Sequence, residues 1–357
     1  MHLSTSFFYR WLTSIKKASS SKGFTLLELL ISLVIAGMVM SGLLYVVVEL
    51  TQIDKRESSL DQVQRDMQRA MDYIVDDLQE AVYVYPADEL TAVINQLETD
   101  SGYPQGSNVV PVLAFWRVDP IGNLPDCTSF SANEEKERLC EVLSIRQASY
   151  TLVVYSQRQN DATNSNWSGQ SQIVRSELSR YSAAGLKTLT ERDGYRDPTK
   201  QNDGDAGFEG WKVALSSSGG SAEIPDTESA VLVDFVQAPN VGTLNRAPLS
   251  DLNGGANTPC YSFGVQPNED STKPDIPLYS VVPANATTTT NNSFFACVRD
   301  PDPSDNTAAR ANQDVYVFLR GSTQGISGGV TSFSDESSLP TLETRVLVRG
   351  VIDKNVR

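Results

Sequence analysis

The chain has 357 residues and a formal net charge of -15, from 44 acidic and 29 basic residues. This length is enough to bury a sizeable core, in one large domain or two smaller ones. The acidic balance argues against a nucleic-acid backbone as a direct partner, because binding one requires a basic face. The first 23 residues are basic instead, since they include Arg10, Lys16, Lys17 and Lys22 and no acidic residue.

A run of 20 uncharged residues follows this basic leader, from Leu29 to Val48. As a helix it would span about 30 Å, the thickness of a bilayer core. A basic flank beside an apolar span stays cytoplasmic, so we expect the acidic remainder across the membrane. A secretory signal peptide ends in a small-residue cleavage site after its apolar run. Here the small residue Gly23 precedes the run, so cleavage there would leave the apolar helix on the mature protein.

Residues 22–28 read KGFTLLE, and between a basic leader and an apolar run they resemble the type IV prepilin signal. The resemblance implies that prepilin peptidase cuts between Gly23 and Phe24 and that the new N-terminal residue, Phe24, is methylated. It further implies an inner-membrane protein that crosses once, with a cytoplasmic N-terminus and a periplasmic C-terminal domain, before it enters a pilus or pseudopilus at the cell surface. An ordinary membrane anchor is the alternative.

Glu28 stands at the fifth position of the implied mature chain, where the family has a glutamate. A carboxylate near the start of a membrane-spanning helix is costly unless it is paired or close to the interface. In an assembled bundle of helices it can pair with the α-amino group of Phe24 on a neighbouring subunit and set the axial register. The alternative is that Glu28 reaches the cytoplasmic interface and favours the helix N-terminus electrostatically.

An amphipathic pattern continues beyond the apolar run. Apolar residues recur mostly at spacings of three, four and seven, which predicts the buried stripe of a helix; they are Ile53, Leu60, Val63, Met67, Met71, Ile74, Leu78 and Val82. The charged residues between them, including Asp77, predict a solvated opposite face. Pro86 is the expected terminator, so the helix should continue to Tyr85. A coiled-coil stalk is the alternative for this second part.

The predicted organisation has four parts: a leader at 1–23, a membrane and assembly helix at 24–48, its amphipathic continuation at 49–85, and an extracytoplasmic β-rich domain at 86–357. Segments of strand composition are separated there by turn-rich stretches; the segments are 109–118, 150–157, 172–178, 231–236, 294–298, 315–320 and 345–352. We therefore expect an α+β fold, in which one long N-terminal helix packs on an antiparallel sheet with long loop insertions, as in pilins.

Two finer resemblances concern the predicted domain. Residues 314–320, followed by 343–349, resemble the closing strands of larger minor pilins and J-type pseudopilins. Stretches within 69–85, 113–117 and 166–168 resemble the C-type cyanobacterial pseudopilins that are linked to hormogonium polysaccharide secretion.

The four cysteines form two sequence-local pairs, Cys127 with Cys140 and Cys260 with Cys297. An even number beyond an export signal indicates disulfides formed in an oxidising compartment. Three connectivities are possible in principle, and the local pairing is favoured; four unlinked thiols are the alternative. No CxxC or Cys/His spacing typical of zinc sites is present.

The only histidine, His2, lies in the leader. A mature chain without it would lack Ser-His-Asp and Cys-His catalysis and any His-ligated zinc. We therefore expect no enzymatic activity and no cofactor.

Asp300, Asp302 and Asp305 could supply oxygens to Ca²⁺, but the intervening prolines and the lack of a full EF-hand loop favour a solvated acidic turn.

These features together predict a minor pilin or pseudopilin, a structural subunit at or near the tip of a type IV pilus or pseudopilus that serves motility, secretion or DNA uptake. Its expected partners are prepilin peptidase, other pilins and the inner-membrane assembly platform, without direct contact to nucleic acid. The alternative is a tip adhesin or glycan-binding module. A third hypothesis, an anchored glycosidase, would need two carboxylates that face each other across a cleft.

Overall fold

The computed structural model describes residues 24–99, 102–161, 166–199, 207–215, 222–240, 248–253, 256–268, 272–273, 275–299, 313–324 and 341–349. The chain separates into two compact units, Met1–Lys55 and Arg56–Arg357. The described part of the first unit is almost entirely helical. The second unit contains the remainder of that helix together with a mixed α+β domain.

Helix α1 runs from Leu26 to Gln79. In the second unit its buried face is the predicted apolar stripe, confirmed from Val63 to Leu78. Of the two earlier members of that stripe, Ile53 is exposed and Leu60 is half-buried.

The end of helix α1 differs from the prediction. The helix ends at Gln79, and Ala81–Val84 form strand β1 instead of continuing the helix to Tyr85. β-branched and aromatic residues favour strands, and β1 pairs antiparallel with the next strand, where Tyr83 lies opposite Trp116. Pairing with β2 therefore decides the structure of this segment, although Val82 still fits the helical spacing of the apolar residues.

Two antiparallel sheets form the body of the second unit. The first sheet has the order β1-β2-β3-β4-β5, with β2 to β5 at Val109–Pro120, Ala148–Gln159, Ser171–Ser179 and Glu228–Val236. The second sheet has the order β10-β11-β12-β13, at Tyr279–Val282, Phe294–Arg299, Asp314–Arg320 and Thr341–Leu347. Two short ladders pair β6 with β7 and β8 with β9, at Leu252–Asn253, Ala256–Asn257, Val265–Gln266 and Ile276–Pro277.

The sequence predicted the main strands well. The seven predicted segments fall on β2, β3, β4, β5, β11, β12 and β13. The predicted closing pair is confirmed, because β12 and β13 are antiparallel neighbours with Phe318 opposite Glu343. The end of the last predicted segment, residues 350–352, lies outside the described residues. The α+β class, with a long N-terminal helix and an antiparallel sheet, is confirmed.

The expectation of one helix was incomplete. The described residues contain three further α-helices, α2 at Ala87–Leu97, α3 at Glu134–Arg146 and α4 at Ala183–Thr188. Helix α2 buries residues at i, i+3, i+4 and i+7, which are Leu90, Val93, Ile94 and Leu97. Helix α3 begins where the Asn133 side chain accepts a hydrogen bond of 3.1 Å from the Lys136 amide, as an N-cap does.

Strand β12 connects the two edge strands of the first sheet. At its start, the Gln313 side chain accepts from the Val84 amide and donates to the Val84 carbonyl, both at 2.9 Å. At its end, Gly321 forms a β-bridge with Val236 of β5. Five strands spaced about 4.8 Å apart are about 19 Å wide, and seven extended residues cover about 23 Å. Strand β12 is therefore long enough to cross the first sheet from β1 to β5.

Three groups of buried apolar residues stabilise the second unit. The largest joins helix α1 to both sheets, and its bulkiest fully buried members include Trp116, Tyr85, Tyr155 and Phe294. A second group covers the other face of the second sheet with Tyr279, Phe295, Cys297 and Phe318. A third group packs Cys140 and Leu143 of the insertion between β2 and β3 against Leu189, which follows helix α4.

Candidate functional site

The start of helix α1 is the first candidate site, and Thr25 is its N-cap. The Thr25 hydroxyl accepts from the Glu28 amide at 3.3 Å, and the Thr25 carbonyl accepts from the same amide at 3.0 Å. Thr25 and Glu28 have the Ser/Thr-x-x-Glu spacing of a capping box. This cap is not among the features predicted above, although the spacing of Thr25 and Glu28 is visible in the motif itself.

Glu28 therefore lies in the first turn of the helix, three residues after its cap, and its side chain is exposed. The helix macrodipole places positive partial charge at this end, which favours a carboxylate there. Phe24 precedes the cap and is also exposed. The structure thus presents Phe24 and Glu28 near one helix terminus, while Gly23 lies outside the described residues.

The apolar run exposes every one of its large side chains, from Leu29 to Val48. Its two serines are satisfied within the helix, because Ser32 donates to the Glu28 carbonyl at 2.7 Å and Ser41 donates to the Gly37 carbonyl at 2.8 Å. Hydroxyl groups need such partners in lipid, where no water can replace them. By length and composition, helix α1 is the one helix among the described residues that could cross a membrane.

Residues 18–44 match the prokaryotic N-terminal methylation motif. The match supports a type IV pilin-like protein that prepilin peptidase processes and that assembles with other pilins. Together with the apolar helix, it fits a pilin anchored in the inner membrane.

The match is confined to this N-terminal segment. No curated protein and no solved structure matches the chain. The pilin-like assignment therefore rests on residues 18–44, and the resemblance of the later segments to particular pseudopilins stays a prediction.

Both predicted disulfides are present. Cys127 is bonded to Cys140 with a Cα–Cα distance of 5.5 Å, and Cys260 is bonded to Cys297 with a Cα–Cα distance of 5.8 Å. The first closes the insertion that carries α3, and the second holds the segment before β8 against β11. The local connectivity is confirmed.

A buried ionic cluster around Asp77 lies where helix α1 packs on the first sheet. The Asp77 carboxylate accepts from Arg117 of β2, from the Tyr155 hydroxyl of β3 at 2.6 Å and from Arg175 Nε of β4 at 2.8 Å. The Asp77 side chain is only 5% exposed. The prediction that Asp77 lies on the solvated face was wrong, because three strands supply polar partners to it. Arg117 and Arg175, each within a segment predicted as a strand, were the signal that could have indicated this.

Burial and charge shift the protonation of this cluster. The pKa of Tyr155 is raised above its ordinary value, first because the hydroxyl is buried and then because Asp77 lies beside it. Burial alone would lower the pKa of Arg175, but its hydrogen bond and charge interaction with Asp77 raise it. The cluster therefore holds a neutral tyrosine and charged arginines around one carboxylate.

Within the described parts of the chain, no group of three or more His, Cys, Asp or Glu side chains is placed to hold a metal ion. The weak calcium candidates Asp300, Asp302 and Asp305 lie outside those residues, as does His2. The expectations for these positions stay predictions.

Proposed function

We propose that this protein is a minor pilin or pseudopilin with a structural and not an enzymatic role. The observation that carries the proposal is the methylation motif at residues 18–44, followed by a helix whose apolar run is exposed throughout. Cleavage after Gly23 would give a mature chain that begins at Phe24. Its helix would anchor the subunit in the inner membrane and later pack against the helices of neighbouring subunits.

Processing is tested by intact-mass measurement of the full chain from cells that contain prepilin peptidase. Gly23→Ala should leave the leader attached, and the unaltered chain should lose residues 1–23 and gain the mass of one methyl group. Gly37→Ala is a matched control, because an added Cβ there meets no atom within 4 Å. A mature N-terminus other than Phe24 would contradict the processing step.

Glu28 is proposed to pair with the α-amino group of Phe24 on a neighbouring subunit. Its exposure in the first helical turn leaves the carboxylate accessible for such a contact. Glu28→Val should insert into the membrane normally but fail to enter fibres, as judged by sheared-fibre and membrane fractions. Glu49→Val removes the carboxylate just after the apolar run and serves as the control. Normal incorporation of Glu28→Val would rule out the pairing role.

A position at or near the fibre tip is proposed from the insertions in the second unit, which include the disulfide-closed segment that carries α3. Bulky insertions crowd a helical fibre but not its end. Antibody labelling of fibres should therefore mark ends, and uniform labelling along fibres would reject this location.

The resemblance to polysaccharide-secretion pseudopilins adds one more expectation, that deletion of the gene reduces exported polysaccharide.

A second candidate function, a glycan-binding tip module, is favoured by Trp167. This side chain is 43% exposed, and its loop is held by Asp234, which accepts from the Ser168 and Gly169 amides at 3.1 and 3.0 Å. A fixed aromatic side chain presents contact area at low entropic cost. Trp167→Ala should reduce binding of cellohexaose or maltohexaose to the full chain at least tenfold. No binding of either sugar to the unaltered chain would reject this candidate.

A further inference from the structure

The Asp77 cluster has an unfavourable location for a carboxylate. Asp77 lies in the last turn of helix α1, where the helix macrodipole is negative and disfavours acidic groups. The cluster also removes an acidic and two basic side chains from water, since their exposures are 5%, 17% and 12% for Asp77, Arg117 and Arg175. Buried ion pairs are often no more stabilising than apolar residues of the same volume, but they can specify one packing arrangement over another.

The apolar stripe of helix α1 does not specify such an arrangement by itself. If the helix moved by four residues along the sheet, about 6 Å, each buried apolar position would again receive an apolar residue. Val63, Met67, Ala70, Met71, Ile74 and Leu78 would be replaced in turn by Met67, Met71, Ile74, Val75, Leu78 and Val82. The sites of Ala70 and Val63 would gain bulk, and the methionine that would take the place of Val63 adapts readily to new surroundings.

The shifted arrangement would require helix α1 to continue through the residues that form β1. Their sequence permits this, because Val82 follows the helical stripe and no glycine or proline occurs before Pro86. In that arrangement Ala81 would occupy the place of Asp77. Asp77 itself would take the half-exposed place of Tyr73, whose ring lies 5.6 Å from the Arg175 guanidinium. It would then be out of the buried site between the two arginines, and Arg117 would keep only its peripheral partner, Asp119.

We infer that Asp77 is a positioning residue that selects the register of helix α1 on the first sheet. Both registers place apolar residues against the sheet, but only the observed one lets Asp77 bind Arg117, Arg175 and Tyr155 together. The cluster thereby acts together with the pairing of β1 and β2, which ends the helix at Gln79. This inference concerns the packing of the second unit and does not depend on the proposed function.

The register is measured as a distance between nitroxide labels on the full chain in detergent, with both disulfides intact. Labels at Arg69→Cys on the helix and Gln159→Cys at the end of β3 use two exposed positions. The unaltered background should give one distance. In Asp77→Ala an alanine occupies this site in either register, residue 77 in one and Ala81 in the other. A second distance should therefore appear in at least about a tenth of the molecules. Asp76→Ala, at an exposed neighbouring position, is the control and should keep one distance.

Two further variants separate register from stability. Asp77→Ala with Arg117→Met and Arg175→Met removes all three buried charges, so it should fold and still show two distances. Asp77→Ala with Ala81→Asp moves the carboxylate by one turn and should favour the second distance. A single, unshifted distance in both variants would overturn the inference. A lower unfolding temperature without a second distance would indicate a structural role alone.

Discussion

The two parts of helix α1 carry their apolar side chains in opposite surroundings. In the first unit the side chains from Leu26 to Ile53 are exposed, with Ile35 at 56%. In the second unit the stripe from Val63 to Leu78 is buried, with Ile74 at 0%. The first part carries apolar residues on every side, whereas the second confines them to one face and places charges on the others.

This difference shows how one helix can serve two environments. A helix that is apolar on all sides requires lipid or other helices around it, whereas a one-sided helix requires a folded domain. The polar groups agree with this division. The serines of the first part bond to their own helix, whereas Asp77 of the second part bonds to side chains from three strands.

The largest expected effect comes from replacing one isoleucine in each part of the helix by alanine. Ile74→Ala removes a fully buried side chain and should lower the unfolding free energy of the domain by about 2–5 kcal/mol, because it leaves a cavity. Ile35→Ala should leave that value unchanged. Urea unfolding of both full-length variants, followed by tryptophan fluorescence, measures the difference. Equal destabilisation by the two changes would contradict the division of the helix.

A charge placed in each part gives a reciprocal test. Leu43→Lys puts an ammonium near the centre of the apolar run and should weaken membrane insertion by about 2.5–3.5 kcal/mol. Gln62→Lys, at an exposed position of the second part, should not affect insertion. The carbonate-resistant membrane fraction is the measurement. If both lysine variants are retained equally, the first part is not the segment that spans the membrane.

The folded part should also lose stability in alkali. Burial raises the pKa of Tyr103 from 10.0 to about 12, against the opposing effect of its hydrogen bond with Ser156. The folded state thus binds the phenolic proton more tightly than the unfolded state. This contribution is fully present below pH 10 and falls by about 2 kcal/mol as the pH rises to 12. Unfolding of Tyr103→Phe over the same range should show a smaller loss, and an identical loss would exclude Tyr103 as its source.

The smallest effect concerns the first turn of helix α1. Thr25→Ala removes the hydroxyl that accepts from the Glu28 amide, which should destabilise this turn by about 1 kcal/mol. Hydrogen exchange at the Glu28 and Leu29 amides should therefore accelerate, with the unfolding temperature of the domain unchanged. Thr25→Ser retains the cap and is the control. Unchanged exchange in Thr25→Ala would mean that the hydroxyl does not cap the helix.

The sequence predicted the fold where local pattern and tertiary packing agree. The apolar run, the stripe from Val63 to Leu78, the main strands and both disulfides all follow from composition, period or spacing. In each case the signal lies in residues that are close together in the sequence, such as the alternation of apolar and polar residues in a strand. The methylation motif was recognisable for the same reason, since its signal is contained in consecutive residues.

The rest depended on partners that are distant in sequence. Helix α1 ends at Gln79 because β1 pairs with β2, and Asp77 is buried because arginines of β2 and β4 reach it. Neither partner is adjacent in the chain. Helix α2 is a different kind of omission, because the helical spacing of Leu90, Val93, Ile94 and Leu97 is visible in the sequence between the predicted helix and the first predicted strand.

The crossing of β12 over the first sheet has a consequence for the order of folding. Val84 follows helix α1 closely, yet both of its main-chain groups bond to Gln313, 229 residues later. Contacts of such long sequence separation form slowly, because a long loop must close first. If the domain is exported, as the proposed function requires, the edge of its first sheet cannot be completed until residue 313 has emerged from the membrane. Until then, β1 is an open edge that other chains could pair with.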